Sequence, residues 1–182
     1  MKVFSLLLFL ALLLIGLAIY WVTRMEIKEE SEIKQFEKVE PKVVEKPDIT
    51  PPTPLGYGRG GNYTEEIKIK PDIALLYTYS NPLPLHEVGL KGVWFIERDR
   101  ITSLSDDGIL SIHFQAPRAF IELSGQSVLP VRIELNNKSA GEFWIDGKRE
   151  YEFALPDKSF IPHTLTLHVP RGVSAYSFRF TE

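Results

Sequence analysis

The 182-residue chain contains no cysteine. Disulfide frameworks, thiolate zinc sites, iron–sulfur clusters and thiol redox chemistry are therefore excluded within it. Basic residues are not in surplus either, because 21 Lys and Arg stand against 24 Asp and Glu, for a formal net charge of −3. Proteins that bind nucleic acids normally carry a basic surplus. We therefore expect no nucleic-acid partner and no bound cofactor.

One long stretch near the amino terminus lacks charge. Residues 3–22 read VFSLLLFLALLLIGLAIYWV, enough to cross the roughly 30 Å hydrocarbon layer at about 1.5 Å per residue. Tyr20 and Trp21 at its end suit the membrane interface. We predict a transmembrane anchor over residues 1–23, with residues 3–22 in contact with the lipid bilayer. A cleaved signal peptide is the alternative, although no small-x-small cleavage site follows.

The charges that flank this stretch leave its orientation open. Lys2 precedes it and Arg24 and Lys28 follow it, so the positive-inside rule does not decide. Two glycosylation sequons, at Asn62 (NYT) and Asn137 (NKS), favour an external carboxyl-terminal part. We expect a single-pass cell-membrane protein with an extracytoplasmic carboxyl-terminal domain, and Asn62 and Asn137 as candidate acceptors.

A charged and proline-rich segment separates the predicted anchor from the rest of the chain. Residues 24–53 are rich in Glu and Lys and end with the run EKPDITPPT. Closely spaced prolines prevent helix formation and favour an extended chain. We predict a linker over residues 24–53 that lifts a domain off the bilayer.

Residues 54–182 show a two-residue hydrophobic period, typical of half-buried strands. The apolar positions are Leu110, Ile112 and Phe114; Val131, Ile133 and Leu135; Tyr151, Phe153 and Leu155; Leu165, Leu167 and Val169; and Tyr176, Phe178 and Phe180. Turn residues separate these runs at 106–108, 124–125, 136–137, 146–147 and 171–172. We predict an all-β fold, a β-sandwich or jelly roll, over residues 54–182.

Residues 56–61 (GYGRGG) fit the spacing G-x-G-x-x-G of dinucleotide-binding folds. That motif requires a preceding strand and a following helix. Here a proline-rich segment precedes it and no amphipathic helix follows. The segment is therefore predicted to be a glycine-rich loop that leads into the domain.

No arrangement typical of catalysis is found. The nucleophile motif G-x-S-x-G is absent, and none of the four histidines, His86, His113, His163 and His168, pairs with another at helical spacing. Asp106 lies beside Asp107 and Gly108 in a predicted turn, where Asp commonly stabilises the backbone and a calcium ion is the less favoured alternative. We predict no catalytic residue, no metal site and no enzymatic activity.

The chain has many aromatic residues, whose exposed faces can stack on sugar rings. Tyr57 and Trp144 lie near glycines, which favours exposure. Trp94 is a further candidate, although a place in the core is the stronger interpretation. These three aromatic residues are predicted ligand-binding side chains.

Five short segments resemble, in order, those of the carboxyl-terminal domain of DipZ-type thioredoxin proteins. Residues 53–63 (TPLGYGRGGNY) resemble its opening motif TPE-x-YLGY-x-R-x-EN-F, with Gly61 in place of Glu. The other segments are 90–94 (LKGVW), 109–116 (ILSIHFQA), 130–135 (PVRIEL) and 172–178 (GVSAYSF). The resemblance covers most of residues 53–182.

The resemblance implies a jelly-roll, galactose-binding-like domain similar to carbohydrate-binding modules, working outside the cytoplasm. Tyr57, Arg59 and Trp94 match recurrent family positions, and the resemblance thereby adds Arg59 to the predicted ligand-binding residues. The alternative is a structural role, in which Tyr57 packs the entry loop and Arg59 pairs with a carboxylate. The family joins this domain to a thioredoxin domain with Cys-x-x-Cys, which is missing here, so the redox activity is not carried over. We therefore expect an anchored, non-catalytic module that binds a glycan. The alternative is an accessory subunit that docks onto a separate membrane protein or thioredoxin-like redox protein.

Overall fold

The computed structural model describes residues 17–21, 24, 48–155 and 160–182. The chain divides into two units, Met1–Glu45 and Lys46–Glu182. Residues 17–21 and 24 are helical, whereas the rest of the predicted anchor and most of the predicted linker lie outside the described residues. In the described part, no helix is both long and apolar enough to cross a membrane.

The second unit is built from strands. They are β1 (Thr53–Pro54), β2 (Ala74–Tyr77), β3 (Val88–Ile96), β4 (Ile101–Ser103), β5 (Gly108–Gln115), β6 (Arg118–Leu135), β7 (Lys138–Ala154), β8 (Pro162–Val169) and β9 (Ser174–Thr181). A three-residue 3-10 turn, Tyr57–Arg59, follows β1. The predicted all-β class is confirmed.

The strands pair antiparallel in the order β1-β9-β4-β3-β5-β8-β6-β7, and β2 pairs with β3. Strand β6 also pairs with β9 along residues 118–124, whereas its residues 132–135 pair with β8. Strand β6 thereby joins β9, near one end of the strand order, to β8, near the other end. The sheet therefore closes on itself around a shared core.

The hairpin of β6 and β7 differs in part from the prediction. Asn136 and Asn137 form the predicted two-residue turn, and both have positive φ angles, of 53° and 62°. The predicted turns at 124–125 and 146–147 do not reverse the chain. They face each other within the paired strands, because Gly125 pairs with Gly147 and the register shifts between Gly125 and Leu129. Both signals therefore mark one irregularity in a continuous hairpin.

The end of the predicted linker packs on the domain. The Thr50 backbone N–H donates to the carbonyl of Gln115 at 3.0 Å, and the Thr50 hydroxyl bonds Nδ1 of His86 at 2.8 Å. Thr53 is buried in β1. The segment bonds to the sheet through backbone N–H groups of Thr50 and Leu55, which are donors that a proline would lack.

The core is formed by the predicted apolar faces of β5 and β8, where Leu110, Ile112 and Phe114 are fully buried. Ser111, expected to point outward, is also buried. The Tyr79 hydroxyl donates to Ser111 Oγ at 2.7 Å, and Thr166 Oγ1 lies 3.0 Å from the same atom. The segment that carries Tyr79 covers the second face of β5, so two-sided burial replaces the expected alternation.

The two tryptophans of the domain provide a test of this core. Trp94 is 0% exposed and Trp144 is 53% exposed. We expect Trp94→Ala to lower the free energy of unfolding by about 3–5 kcal/mol, because it opens a large cavity. Trp144→Ala, the matched control, should cost less than about 1 kcal/mol. Chemical denaturation followed by circular dichroism measures both, and equal losses would contradict the placement of Trp94.

Candidate functional site

The glycine-rich loop packs against the turn between β3 and β4. The backbone N–H groups of Tyr57 and Gly58 donate to the carbonyls of Glu97 and Arg98 at 3.1 and 2.8 Å. A Cβ on Gly56 would lie 2.3 Å from the Arg98 carbonyl oxygen. Glycine is therefore required there for close backbone contact. The predicted loop is confirmed, since a 3-10 turn rather than an α-helix follows Gly56.

This contact forms one side of an open depression that we call the polar cleft. It consists of two adjoining cavities of about 240 and 480 Å³ that share Arg98, Asp99, Lys148 and Tyr176. The complete lining is Pro54, Gly56, Tyr57, Arg59, Asp72, Glu97, Arg98, Asp99, Arg100, Glu122, Lys148, Tyr176 and Ser177. The cleft thus combines aromatic, basic and acidic side chains.

Two of the predicted ligand-binding residues lie in the polar cleft. Tyr57 and Arg59 belong to the same 3-10 turn, and each lines one of the two cavities. The Tyr57 ring is 36% exposed, and its hydroxyl donates to Oδ2 of Asp72 at 3.0 Å. This hydrogen bond is the main reason that the pKa of Tyr57 is raised from its ordinary value of 10.0. The bond fixes the ring at the rim while leaving part of it accessible.

Tyr176 lies in the cleft because of a β-bulge. Its neighbours in β9 pair with consecutive residues of β6, Ala175 with Leu123 and Ser177 with Glu122. Tyr176 is therefore the extra residue, and its side chain leaves the inward alternation that the sequence predicts. It is half-buried, and Lys148 Nζ lies 3.9 Å from its ring centroid.

The surroundings of Tyr176 favour its ionised form. Partial burial raises its pKa and is the largest single effect, but other effects outweigh it. These are hydrogen bonds to Ser124 and Arg100 and the positive charges of Lys148 and Arg100, so the pKa is lowered from the ordinary 10.0. The Ser124 and Tyr176 hydroxyl oxygens lie 3.1 Å apart. Hydrogen bonds to the phenolate form and nearby cations thus act in the same direction on Tyr176.

The other two predicted ligand-binding residues lie elsewhere. Trp94 is in the core, and its indole N–H donates to the Lys91 carbonyl at 2.9 Å, so it has no surface to offer a ligand. Trp144 is exposed on β7 but does not line the polar cleft. The structure therefore brings together Tyr57 and Arg59 alone among the four.

A second depression, the aromatic groove, lies along β6, β7 and β8. Its volume is about 330 Å³. Phe143, Tyr151 and Phe153 line it, with ring centroids of Phe143 4.5 and 5.6 Å from those of Tyr151 and Phe153. The sequence places Tyr151 and Phe153 on the core face of a strand, and the structure leaves both half-buried.

The predicted glycosylation acceptors lie at the surface. Asn137 is exposed in the β6–β7 turn. Asn62 is also exposed, and its side-chain amide donates to the His86 carbonyl at 2.7 Å. Whether either residue carries a glycan stays a prediction.

The Asp106–Asp107 turn takes part in ion pairs. Asp106 accepts from Arg171 Nε at 3.0 Å, and Oδ1 of Asp107 lies 3.0 Å from Arg132 Nη2 and 3.1 Å from His168 Nδ1. Among residues 48–155 and 160–182, no group of three or more His, Asp or Glu side chains is arranged to hold a metal ion. The two carboxylates thus connect the β4–β5 turn with the β8–β9 turn and with β6 and β8.

A family model described as "Thioredoxin like C-terminal domain" matches residues 50–181. The chain belongs to this family. The resemblance noted from the short motifs is thereby confirmed at the level of this domain family, while the narrower DipZ-type assignment stays a prediction. No curated protein matches the chain significantly.

Solved structures show distant likenesses. A mutant family two carbohydrate esterase from Clostridium thermocellum matches with 11% identity and a TM-score of 0.47, covering 52% of this chain and 31% of the esterase. CsCBM6-3 from Clostridium stercorarium, in complex with cellobiose, matches with 10% identity and a TM-score of 0.36, covering 63% and 85%. The match thus spans about a third of the esterase, so the activity of the esterase is not assigned to this chain.

Titration of Tyr176 tests the electrostatics of the cleft. We expect the tyrosinate absorbance of the wild type minus that of Tyr176→Phe to give a midpoint below pH 10. Lys148→Met should raise that midpoint, because it removes a positive charge beside the ring. Lys138→Met, at the start of β7 and outside the cleft, is the control and should leave it unchanged.

The lowered pKa of Tyr176 also makes the stability of the fold depend on pH. Because the pKa is lower in the folded chain, Tyr176 contributes stability above the unfolded-state pKa, and this contribution disappears as the pH falls through the folded-state pKa. A difference midpoint at or above pH 10 would contradict the lowered pKa of Tyr176.

Proposed function

We propose that this protein is a membrane-anchored, extracytoplasmic and non-catalytic module of jelly-roll, galactose-binding-like type that binds a glycan. The observation that carries the proposal is the polar cleft, where the exposed ring of Tyr57 lies on the same turn as Arg59. A sugar ring presents an apolar face and a rim of hydroxyls. It is therefore recognised by an aromatic face next to fixed hydrogen-bonding groups.

The rigidity of the cleft supports this proposal. Tyr57 is held by the backbone bond to Glu97 and by its hydroxyl bond to Asp72. Arg100 donates to both carboxylate oxygens of Glu97, at 2.5 and 3.0 Å. Side chains that are fixed before binding lose little conformational entropy when a ligand arrives. The Tyr57 side of the cleft can therefore stack on a saccharide without reorganisation.

Ion pairs hold two of the four carboxylates that line the cleft. Glu97 is paired with Arg100, and Glu122 Oε1 lies 3.2 Å from Lys148 Nζ. We assign these two side chains to support of the cleft, because each holds a basic side chain in place before a ligand arrives.

The cellular placement belongs to the same proposal. The apolar stretch 3–22 supplies an anchor of sufficient length, and the charged, proline-rich segment after it supplies a spacer. A module tethered in this way outside the cytoplasm would meet envelope polysaccharides at high local concentration.

Substitution of Tyr57 tests the glycan site. We expect the full-length chain in mild detergent to bind at least one polysaccharide of the host envelope saturably. Tyr57→Ala should weaken this binding roughly fivefold or more by removing the stacking face. Tyr57→Phe keeps the ring, loses only the bond to Asp72 and should retain most of the affinity. Isothermal titration calorimetry measures all three.

Two results would count against this proposal. Absence of saturable binding to every envelope polysaccharide would remove the glycan function. Binding that is unaffected by Tyr57→Ala would move the site away from the polar cleft. Trp144→Ala is the matched aromatic control, because Trp144 is exposed outside the cleft.

Membership of the thioredoxin-like C-terminal domain family favours a second candidate function. This chain has no cysteine, so it would act as an accessory subunit that docks onto a separate thioredoxin-like or other membrane protein. Crosslinking of the tagged chain in intact membranes, followed by mass spectrometry, should then capture such a protein reproducibly. Capture of envelope polysaccharide alone would favour the glycan-binding module.

A further inference from the structure

The basic side chains of the polar cleft fall into two groups. Arg100 and Lys148 are already paired, with Glu97 and Glu122 respectively. Arg59 and Arg98 have no hydrogen-bond or ion-pair partner for their guanidinium groups among the residues the structure describes. A guanidinium presents five N–H donors in a planar fork that fits an oxyanion. Two such forks are therefore available for a ligand.

Arg59 and Arg98 line the same 240 Å³ cavity although they lie far apart in the chain. Arg59 ends the 3-10 turn, and Arg98 lies in the β3–β4 turn. The Gly58 N–H bond to the Arg98 carbonyl, 2.8 Å long, holds the two turns together. A Cβ on Gly58 would lie 2.6 Å from Arg98 Cγ. The absence of a side chain at residue 58 thus leaves room for the Arg98 side chain.

The charge of this cavity favours an anion. Its lining includes three cations, Arg59, Arg98 and Lys148, and two carboxylates, Asp99 and Glu122. Glu122 is bound by Lys148 at 3.2 Å, so Asp99 alone opposes the two free arginines.

We propose that Arg59 and Arg98 form an oxyanion subsite of the polar cleft, and that the glycan it takes is anionic, with a carboxylate seated between the two guanidinium groups. This inference rests on the proposed glycan-binding function and names its ligand class. Paired Arg–carboxylate bonds are charge-assisted and bidentate, so they supply both affinity and orientation. Tyr57, at the rim of the adjoining cavity, then contacts the sugar ring that carries the acid or its neighbour.

Two polymers with one backbone provide the main test. Polygalacturonate carries a carboxylate on each sugar, and its fully methyl-esterified form is neutral. We expect the full-length chain in detergent to bind polygalacturonate at least about tenfold more tightly than the ester. Arg59→Gln and Arg98→Gln should each abolish most of this preference. The control Arg171→Gln also removes one guanidinium, but from the β8–β9 turn outside the cleft. This variant should keep the preference for polygalacturonate.

Salt dependence separates ionic from neutral recognition. Raising NaCl from 50 to 500 mM should weaken binding of polygalacturonate by the wild type and leave binding of the ester unchanged, because screening acts on charges alone. Equal affinity for both polymers, in the wild type and in the arginine variants, would overturn the oxyanion subsite while leaving the glycan-binding function in place.

A small anion tests the subsite without any glycan. Sodium sulfate should shift the side-chain Nε–H resonances of Arg59 and Arg98 saturably, and leave that of Arg171 unshifted, in NMR spectra assigned with the three Gln variants. Saturable shifts without binding of either polymer would support the subsite and count against the glycan. The absence of both the sulfate-induced shifts and polymer binding would overturn the subsite.

Discussion

Strand β6 determines how the domain closes. Its first half pairs with β9 and its second half with β8, while β7 follows it along most of its length. One strand can serve both partners only if it bends, and the irregularity between Gly125 and Leu129 provides the bend. The apolar face of the sheet is then enclosed on itself, so that residues such as Phe114 and Ile121 become fully buried. The polar cleft and the aromatic groove both lie on the surface of this closed core.

The polar cleft arises where the regular sheet is interrupted. The bulge in β9 turns Tyr176 out of the alternation, and the glycines of the opening loop let Arg98 approach the backbone of residues 56–58. Both irregularities lie next to hydrogen bonds that fix them, from Leu55 N–H to the Tyr176 carbonyl at 2.8 Å and from Gly58 N–H to the Arg98 carbonyl. The closed sheet thus places Tyr176 and Arg98 at positions that regular, uninterrupted strands would not provide.

The sequence predicted the features that depend on local pattern. The period of two identified the core faces of β5 and β8, and the adjacent asparagines 136 and 137 identified a tight turn. It did not predict the burial of Ser111, because that depends on Tyr79 from a distant segment covering the second face. Nor did it predict Tyr176 in the cleft, since a bulge leaves no mark in hydrophobic periodicity. Neighbouring glycines pointed to Tyr57 and the family resemblance pointed to Arg59, but Arg98 joins them only through tertiary packing.

The polar cleft and the aromatic groove differ in what they can offer a sugar. In the aromatic groove the Tyr151 hydroxyl is already engaged, accepting from Arg149 Nε at 2.8 Å and donating to the Trp144 carbonyl at 3.3 Å. The one charged side chain of its lining, Glu152, already accepts from Arg118 Nε at 2.7 Å. A saccharide hydroxyl that loses water against Phe143 and Phe153 without a new partner costs about 1–3 kcal/mol. In the polar cleft, unpaired guanidinium groups lie close to an exposed ring. Aromatic surface alone does not define a glycan site. The polar cleft is the better candidate because it also has hydrogen-bond donors that no other side chain occupies.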